Sequence, residues 1–491
     1  MTLTHGRAAR MAIWSVFENA GMALVGFGSL VIYSRFLSPT DFGVFSVVLA
    51  LVELLSIIVT MFFHDALVQR RDVSREHLDT AFTATIAFSI FLVAVCAVLA
   101  PLFAKAVGNP SAANVLRCTS LALPCSALSS TIVPLQRRQF EFRALALRSV
   151  FGRLAGAALG VTLVVMGAHF WGLVAQYVLI ALSGSLFLWV AAPDRPRLGF
   201  DYTAFRSMLG FGFYSVGGLF LNFALNRVFT IIIGITLGTE IAGYLNLSFR
   251  AVDVLFSLAA AAVTQTALPA LSAIQSDPAR LRRSYRTALG LTSMAIYPCF
   301  VGLAVTAPEV VELLFGRRWA VSSSYMTVFA LLTLVRLFKN LARPLLTAVG
   351  RPQDTMFATL AEMVTMFALV WLTGAKSPAM VLTIWAVREL VAVPVVAFVL
   401  KRAAAISYAE QFGATLPALV GSVAIVAVTS VGRRLLPIGG LAIVRLVGLV
   451  PPGAIAFLFL AYLVDRTAVE RVFRFLGSAV TGQRGTQPGA S

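Results

Sequence analysis

The chain has 491 residues, 59% hydrophobic and only 12% charged, with a formal net charge of +18 and a mean hydropathy of +0.88. A water-soluble domain carries roughly 25% charged residues, so half that share excludes a soluble enzyme and leaves lipid as the solvent. Backbone groups in hydrocarbon must bond internally, which leaves helices or a closed barrel, and apolar runs of about 20 residues select helices.

The start, MTLTHGRAAR, has no small-residue cleavage pattern and reads as a retained cytoplasmic tail, not a signal peptide. About fourteen helices are predicted after it. The first six cover 11–36, 43–63, 80–102, 112–135, 148–168 and 170–191, and the next two cover 208–236 and 241–271. The rest cover 287–307, 322–346, 355–375, 378–400, 413–432 and 438–464. With the N-terminus inside, the cytoplasmic segments hold 23 Lys/Arg and the external ones seven, so both termini are expected in the cytoplasm. The basic excess is mainly this orientation signal and not a nucleic-acid surface. External loops are short, the longest near 308–321, so no periplasmic domain is expected. The tail from Arg466 turns polar and Gly-rich, and its end is expected to be disordered.

Cys96, Cys118, Cys125 and Cys299 lie in apolar runs without CxxC spacing and read as small core residues. His5, His64, His77 and His169 show no metal-ligand spacing, so no metal or other cofactor is expected.

A repeat appears at a constant offset of 200 residues. Leu37, Gly43, Val52 and Leu55 match Leu237, Gly243, Val252 and Leu255, and Glu53 matches Asp253. APLFAKAVG at 100–108 also echoes APEVVELLFG at 307–316. Six helices separate equivalent points, an even number, so the halves are expected to be parallel repeats related by an axis along the membrane normal. The expected organisation is an all-α integral membrane protein with two six-helix lobes, 1–200 and 201–402. Two further helices (403–465) and a tail (466–491) follow.

SRFLSPTDFG (34–43), ALVQRR after the second helix, LPALSAIQSDPARLRRSYRTALG (268–290), LFGRRWAVSS (314–323) and AVGRPQDT (348–355) occur in order. Together they resemble the polysaccharide-transporter (Wzx-type flippase) family of the multidrug/oligosaccharidyl-lipid/polysaccharide exporter superfamily. That resemblance implies a cavity facing alternate sides of a bacterial plasma membrane and an undecaprenyl-pyrophosphate-linked oligosaccharide as substrate. It also places Arg35 at the family's basic position near the end of the first helix.

The remaining nine Lys/Arg lie within the predicted spans. A cation at mid-depth costs about 2.5–3.5 kcal/mol on insertion scales, so such residues usually face a cavity or a partner. Arg336, Lys339 and Arg343 share one helical stripe at i, i+3 and i+7. Arg343 is near the span end and reads as snorkelling, whereas Arg336 and Lys339 are deeper. Asn246, Arg250 and Asp253 form a second stripe, read either as a cavity wall or as an intrahelical Arg250/Asp253 pair. Asn222 and Asn226 share a face, with Arg227 about 100° round. Arg388 and Glu389 are adjacent, so at least one needs a partner elsewhere. Arg117 and Arg153, at predicted span ends, read as snorkelling. The anion-binding candidates are therefore Arg336, Lys339, Arg250, Arg227 and Arg388, and the resemblance adds Arg35. Glu53, Asp253, Glu18 and Glu362, acids in low dielectric, are candidates for coupling to a proton or sodium gradient, or for simple charge balance.

A pyrophosphate brings about two negative charges, which arginine matches with bidentate donors. An Arg-rich cavity repels the cationic compounds that ion-coupled drug exporters handle, so the sign favours a lipid-linked saccharide. A peptidoglycan-precursor flippase and a membrane-embedded saccharide polymerase or ligase are the other readings. The last, an enzyme, lacks here the long external loop and the Walker A, GxSxG or acidic metal motifs that chemistry would need. The expected partners are membrane lipids, a polymerase and glycosyltransferases.

Overall fold

A computed structural model describes residues 5–470 apart from 71, 140, 193, 273, 275, 276, 352, 436–441 and 468. The side chains of 5–13, 15, 16, 69, 211–219, 222 and 261–272 are also outside the description. The expected disordered tail lies beyond the described residues, as does the side chain of Asn222.

Helices and turns account for the described residues, and no strand occurs among them. In chain order the helices are α1 (His5–Phe36), α2 (Pro39–Met61), α3 (His64–Gln69), α4 (Arg75–Val107), α5 (Ser111–Ser120) and α6 (Ala122–Ala127). Next come α7 (Ile132–Arg138), α8 (Phe142–Val165), α9 (Trp171–Ala191), α10 (Tyr202–Ser272), α11 (Pro278–Val305) and α12 (Ala307–Leu314). The last are α13 (Ser322–Ala348), α14 (Asp354–Thr373), α15 (Pro378–Ala404), α16 (Tyr408–Gly413), α17 (Leu416–Leu435) and α18 (Ala442–Val464).

Local sequence sets several of these boundaries. Ser38 caps α2, its hydroxyl accepting the Asp41 N–H at 3.1 Å, and Pro39 fits the first helical position because its missing N–H is not needed there. Asp277 and Pro278 start α11 in the same way, with Asp277 accepting the Ala279 and Arg280 N–H groups at 3.0 Å. α10 runs for 71 residues but turns at Gly238 (φ 84°, ψ 170°), a region open essentially to glycine alone. Gly238 falls between the two helices expected at 208–236 and 241–271.

Among the described residues 11 helices are long and apolar enough to cross a membrane, or 12 if the bent pair 111–127 and 132–138 is one span. The expected fourteen requires two more: α1, and a division at Gly238 of the stretch Phe223–Ala260, which passes as one span. The helix expected at 112–135 is the one that differs most. It is three short pieces, α5 to α7, bent by 42°. Pro124 and Pro134 remove donors there, and the SALSST run (126–131) offers side chains that compete with helical backbone bonds.

The chain divides into two compact units, Met1–Val254 with Met366–Ile384, and Leu255–Thr365 with Trp385–Ser491. In the first, α8 and α9 pack closely because Gly156 and Gly160 of α8 leave no Cβ to meet α9. A Cβ on Gly156 would lie 2.8 Å from the Gln176 carbonyl oxygen, and one on Gly160 would lie 2.8 Å from that of Gly172. α2 and α10 approach more closely still. A Cβ on Gly43 would lie 1.7 Å from the Thr239 carbonyl oxygen, and one on Gly243 would lie 2.0 Å from that of Pro39. The contact is reciprocal under the 200-residue offset, since Pro39 and Gly43 become Thr239 and Gly243.

In the second unit, Tyr285, Tyr297, Phe315 and Trp319 are among the fully buried side chains. The α17–α18 hairpin is tied to α12 by ion pairs, Arg433 to Glu309 at 2.7 Å and Arg445 to Glu312 at 3.1 Å. Of the cysteines expected in the core, Cys96 is buried, Cys118 and Cys125 are half-buried, and Cys299 is exposed on the apolar surface.

Candidate functional site

Two clusters of charged side chains lie within the predicted spans, one in each compact unit. In the first unit α2 carries Glu53, whose Oε2 is 2.6 Å from Arg227 Nε on α10. Glu53 also acts electrostatically on Arg153 of α8 and on Arg250 of α10, with Tyr177 of α9 within the same field. Three helices thus bring three guanidinium groups around one carboxylate, and a fourth adds Tyr177. A single anion cannot neutralise three cations, so these contacts among the described residues leave positive charge in excess.

Arg153 was expected to snorkel from a span end. The helix that carries it begins at Phe142, not at 148, so Arg153 sits midway along α8 and its guanidinium passes Gly26 of α1. Gly26 supplies the space, because a Cβ there would lie 3.2 Å from Arg153 Nη1. Arg153 and Tyr177 are the members of this cluster that the sequence reading missed. A better-placed helix start would have found the arginine, while Tyr177 gave no signal in an aromatic-rich chain.

In the second unit Lys339 of α13 lies between two buried acids. Its Nζ donates to Glu362 Oε1 of α14 at 2.7 Å and to Glu389 Oε2 of α15 at 2.5 Å. Arg388 is 0% exposed, with Nη2 4.0 Å from Glu389 Oε1 and its guanidinium 4.4 Å over the Trp385 ring. Arg336 stacks 4.9 Å over Phe256 and acts on both Arg388 and Glu389. Stacking on an aromatic face lets a guanidinium leave water while its edges remain available for hydrogen bonding. Here three cations face two carboxylates, so this cluster is closer to balance than the first.

Arg35 is exposed in the last turn of α1, where a cation suits the free carbonyls, and Arg343 is exposed near the end of α13. Glu18 of α1 accepts from the Ser149 hydroxyl of α8 at 2.6 Å, with Arg148 nearby in charge terms. Asp253 is half-buried one turn beyond Arg250. The sequence names Arg227, Arg250, Arg336 and Lys339 together as anion-binding candidates. Within the first unit Arg227 pairs with Glu53, which also acts on Arg250, and within the second Lys339 pairs with Glu362 and Glu389. Glu389, which the sequence singles out only beside Arg388, is a direct partner of Lys339.

Charge clusters at mid-span in an all-helical membrane bundle are the architecture of polytopic transporters. The chain belongs to the polysaccharide biosynthesis protein family, whose sequence profile matches residues 32–324. It is 24% identical over 340 residues to the lipopolysaccharide biosynthesis protein WzxC of Escherichia coli (strain K12), covering 68% of each chain. It is also 26% identical over 330 residues to the succinoglycan biosynthesis transport protein ExoT of Rhizobium meliloti (strain 1021), covering 67% of each. Among solved structures, the inward closed conformation of the lipid II flippase MurJ matches with a TM-score of 0.74 at 13% identity, covering 93% of this chain and 99% of that one. An inward-facing multidrug resistance MATE family transporter matches at 0.59 with 14% identity, covering 78% and 95%. These two likenesses show the fold.

Proposed function

We propose that the chain is a flippase that carries an undecaprenyl-pyrophosphate-linked oligosaccharide across the bacterial plasma membrane by alternating access. The substrate is read as a repeat unit for a surface polysaccharide. The observation that carries this reading is the surplus of positive charge in the Glu53 cluster, three arginines to one carboxylate. In the resting state Glu53 shares the guanidinium groups. A pyrophosphate entering the cavity competes for the same donors, and its charge matches the surplus that Glu53 leaves. Arg227, Arg250 and Arg153 replace the hydration the phosphates lose, while the polyprenyl tail stays in lipid. Glu53, which gives up these guanidinium groups as the substrate loads, is the first candidate for coupling transport to a proton or sodium gradient. Glu362 is a second candidate for coupling, with Asp253 and Glu18 after it. The membrane-embedded parts handle transport, and glycosyltransferases and a polymerase act before and after it.

The same fold serves multidrug transporters, but guanidinium groups in surplus repel cationic compounds. The deciding experiment is reconstitution of the purified chain into vesicles holding a fluorescent polyprenyl-pyrophosphate saccharide. Flipping should occur with the wild-type chain and fall about tenfold or more in Arg227→Ala and Arg250→Ala, as expected for lost charged hydrogen bonds. Arg250→Lys should retain part of the rate, since charge survives and the fork does not. Unchanged flipping in both alanine variants, or transport only of an organic cation, would overturn the reading.

A further inference from the structure

At one end of the second unit α11 begins, α18 ends and α16 leads into α17, so this region is where spans leave the bilayer. A cavity of about 510 Å³ opens there, lined by Arg282, Arg283, Arg286 and Thr287 of α11, Glu410 of α16 and Asp465 after α18. Among the described residues its three guanidinium groups make no ion pair within 4.0 Å. Both acids are already engaged. Glu410 Oε2 accepts the Ser407 N–H and the Ser407 hydroxyl, each at 2.8 Å, and Asp465 Oδ1 accepts the Thr467 hydroxyl at 2.7 Å. The Ser407 N–H and hydroxyl hold the Glu410 carboxyl below the usual carboxylate range, so it caps α16 as an anion at neutral pH.

Arg282 Nε is buried and has no hydrogen-bond partner, a state that is costly unless an acceptor arrives. The first amides of α11 are taken by Asp277, so any anion here is drawn by the arginines and not by the helix end. Tyr408 and Phe412 are exposed on the same short α16, with Lys401 4.9 Å over the Tyr408 ring. Aromatic residues gather at headgroup depth.

We infer that this cavity binds a phosphate-bearing anion, and that at this depth its source is the headgroup of an anionic phospholipid. Guanidinium forks match phosphate oxygens in pairs, and basic pockets between spans hold phospholipid headgroups. The site shares no residue with either intramembrane cluster and is independent of the substrate they handle.

Thermal unfolding of the purified full chain in neutral detergent tests it. Phosphatidylglycerol should raise the melting temperature by about 2 °C or more, and phosphatidylcholine should not. Arg283→Gln/Arg286→Gln, at exposed positions, should remove most of the rise, and Arg286→Lys should keep part of it. Arg197→Gln/Arg206→Gln, exposed elsewhere, should leave it intact. Inorganic pyrophosphate alone separates the sources: no rise assigns the cavity to lipid, and an equal rise assigns it to a soluble phosphate. A rise that persists in Arg283→Gln/Arg286→Gln, or none with either probe, overturns the site.

Discussion

Lys339 shows what a single charge must satisfy inside this protein. Its ammonium sits 2.7 Å from Glu362 and 2.5 Å from Glu389, both of which are buried. Removing one partner of a buried ion pair leaves the other uncompensated, at a cost of about 3–5 kcal/mol. Lys339→Met should therefore lower the melting temperature in detergent markedly. Adding Glu362→Gln should recover part of the loss, because one of the two orphaned acids is then neutral. Equal losses that simply add in the double variant would mean that the two residues are not coupled. That Lys339 needs an anion was legible in the sequence, since its own helix offers no acid at i±3 or i±4. Which anion was not. Glu389 lies 50 positions away, and Arg227 lies 174 positions from Glu53, so both pairings are set by tertiary packing that no local pattern carries.

At the scale of elements, two glycines 200 positions apart hold α2 against α10. Each occupies the place where a Cβ would enter the other helix's first turn, and both obstacles are backbone atoms that cannot rotate away. Gly43→Ala must push the helices apart, and by the reciprocity of the contact Gly243→Ala must do the same. Either change is expected to destabilise by about 1–3 kcal/mol, the usual range for overpacking. The double variant should cost less than the sum, because one separation relieves both clashes. Thermal unfolding of the three variants checks this, and strict additivity would show that the two contacts yield independently. The glycines were visible in the sequence as a repeat, but their meeting was not, since an offset alone does not say that equivalent points touch. The hydrophobic runs located most spans well. They failed at α5 to α7, where proline and serine break the helix within an apolar stretch that hydropathy alone reads as continuous.

Across the whole molecule, the asymmetry of 23 Lys/Arg to seven proposes an orientation, and the structure gives two of those seven, with Arg445, a task. Arg433 pairs with Glu309, while Arg317 and Arg445 share Glu312, so these arginines fasten α12 to its neighbours. The bond from Arg317 is the main reason the Glu312 carboxyl lies below its ordinary range. By contrast, Arg282, Arg283 and Arg286 at the opposite end of the same unit make no ion pair within 4.0 Å among the described residues. Such unpaired cations are the ones an orientation rule acts on, since they resist translocation. Ser324, exposed at the start of α13, and Ala409, exposed beyond α15, are separated by α13, α14 and α15. Three crossings place them on opposite faces. In a chain freed of its four cysteines, Ser324→Cys should react with an impermeant maleimide in intact cells, and Ala409→Cys only after permeabilisation. The reverse pattern would invert the molecule and place the Arg282 cavity outside. Labelling of both from one side would mean that one of the three helices does not cross, and the two-lobe arrangement would fail with it.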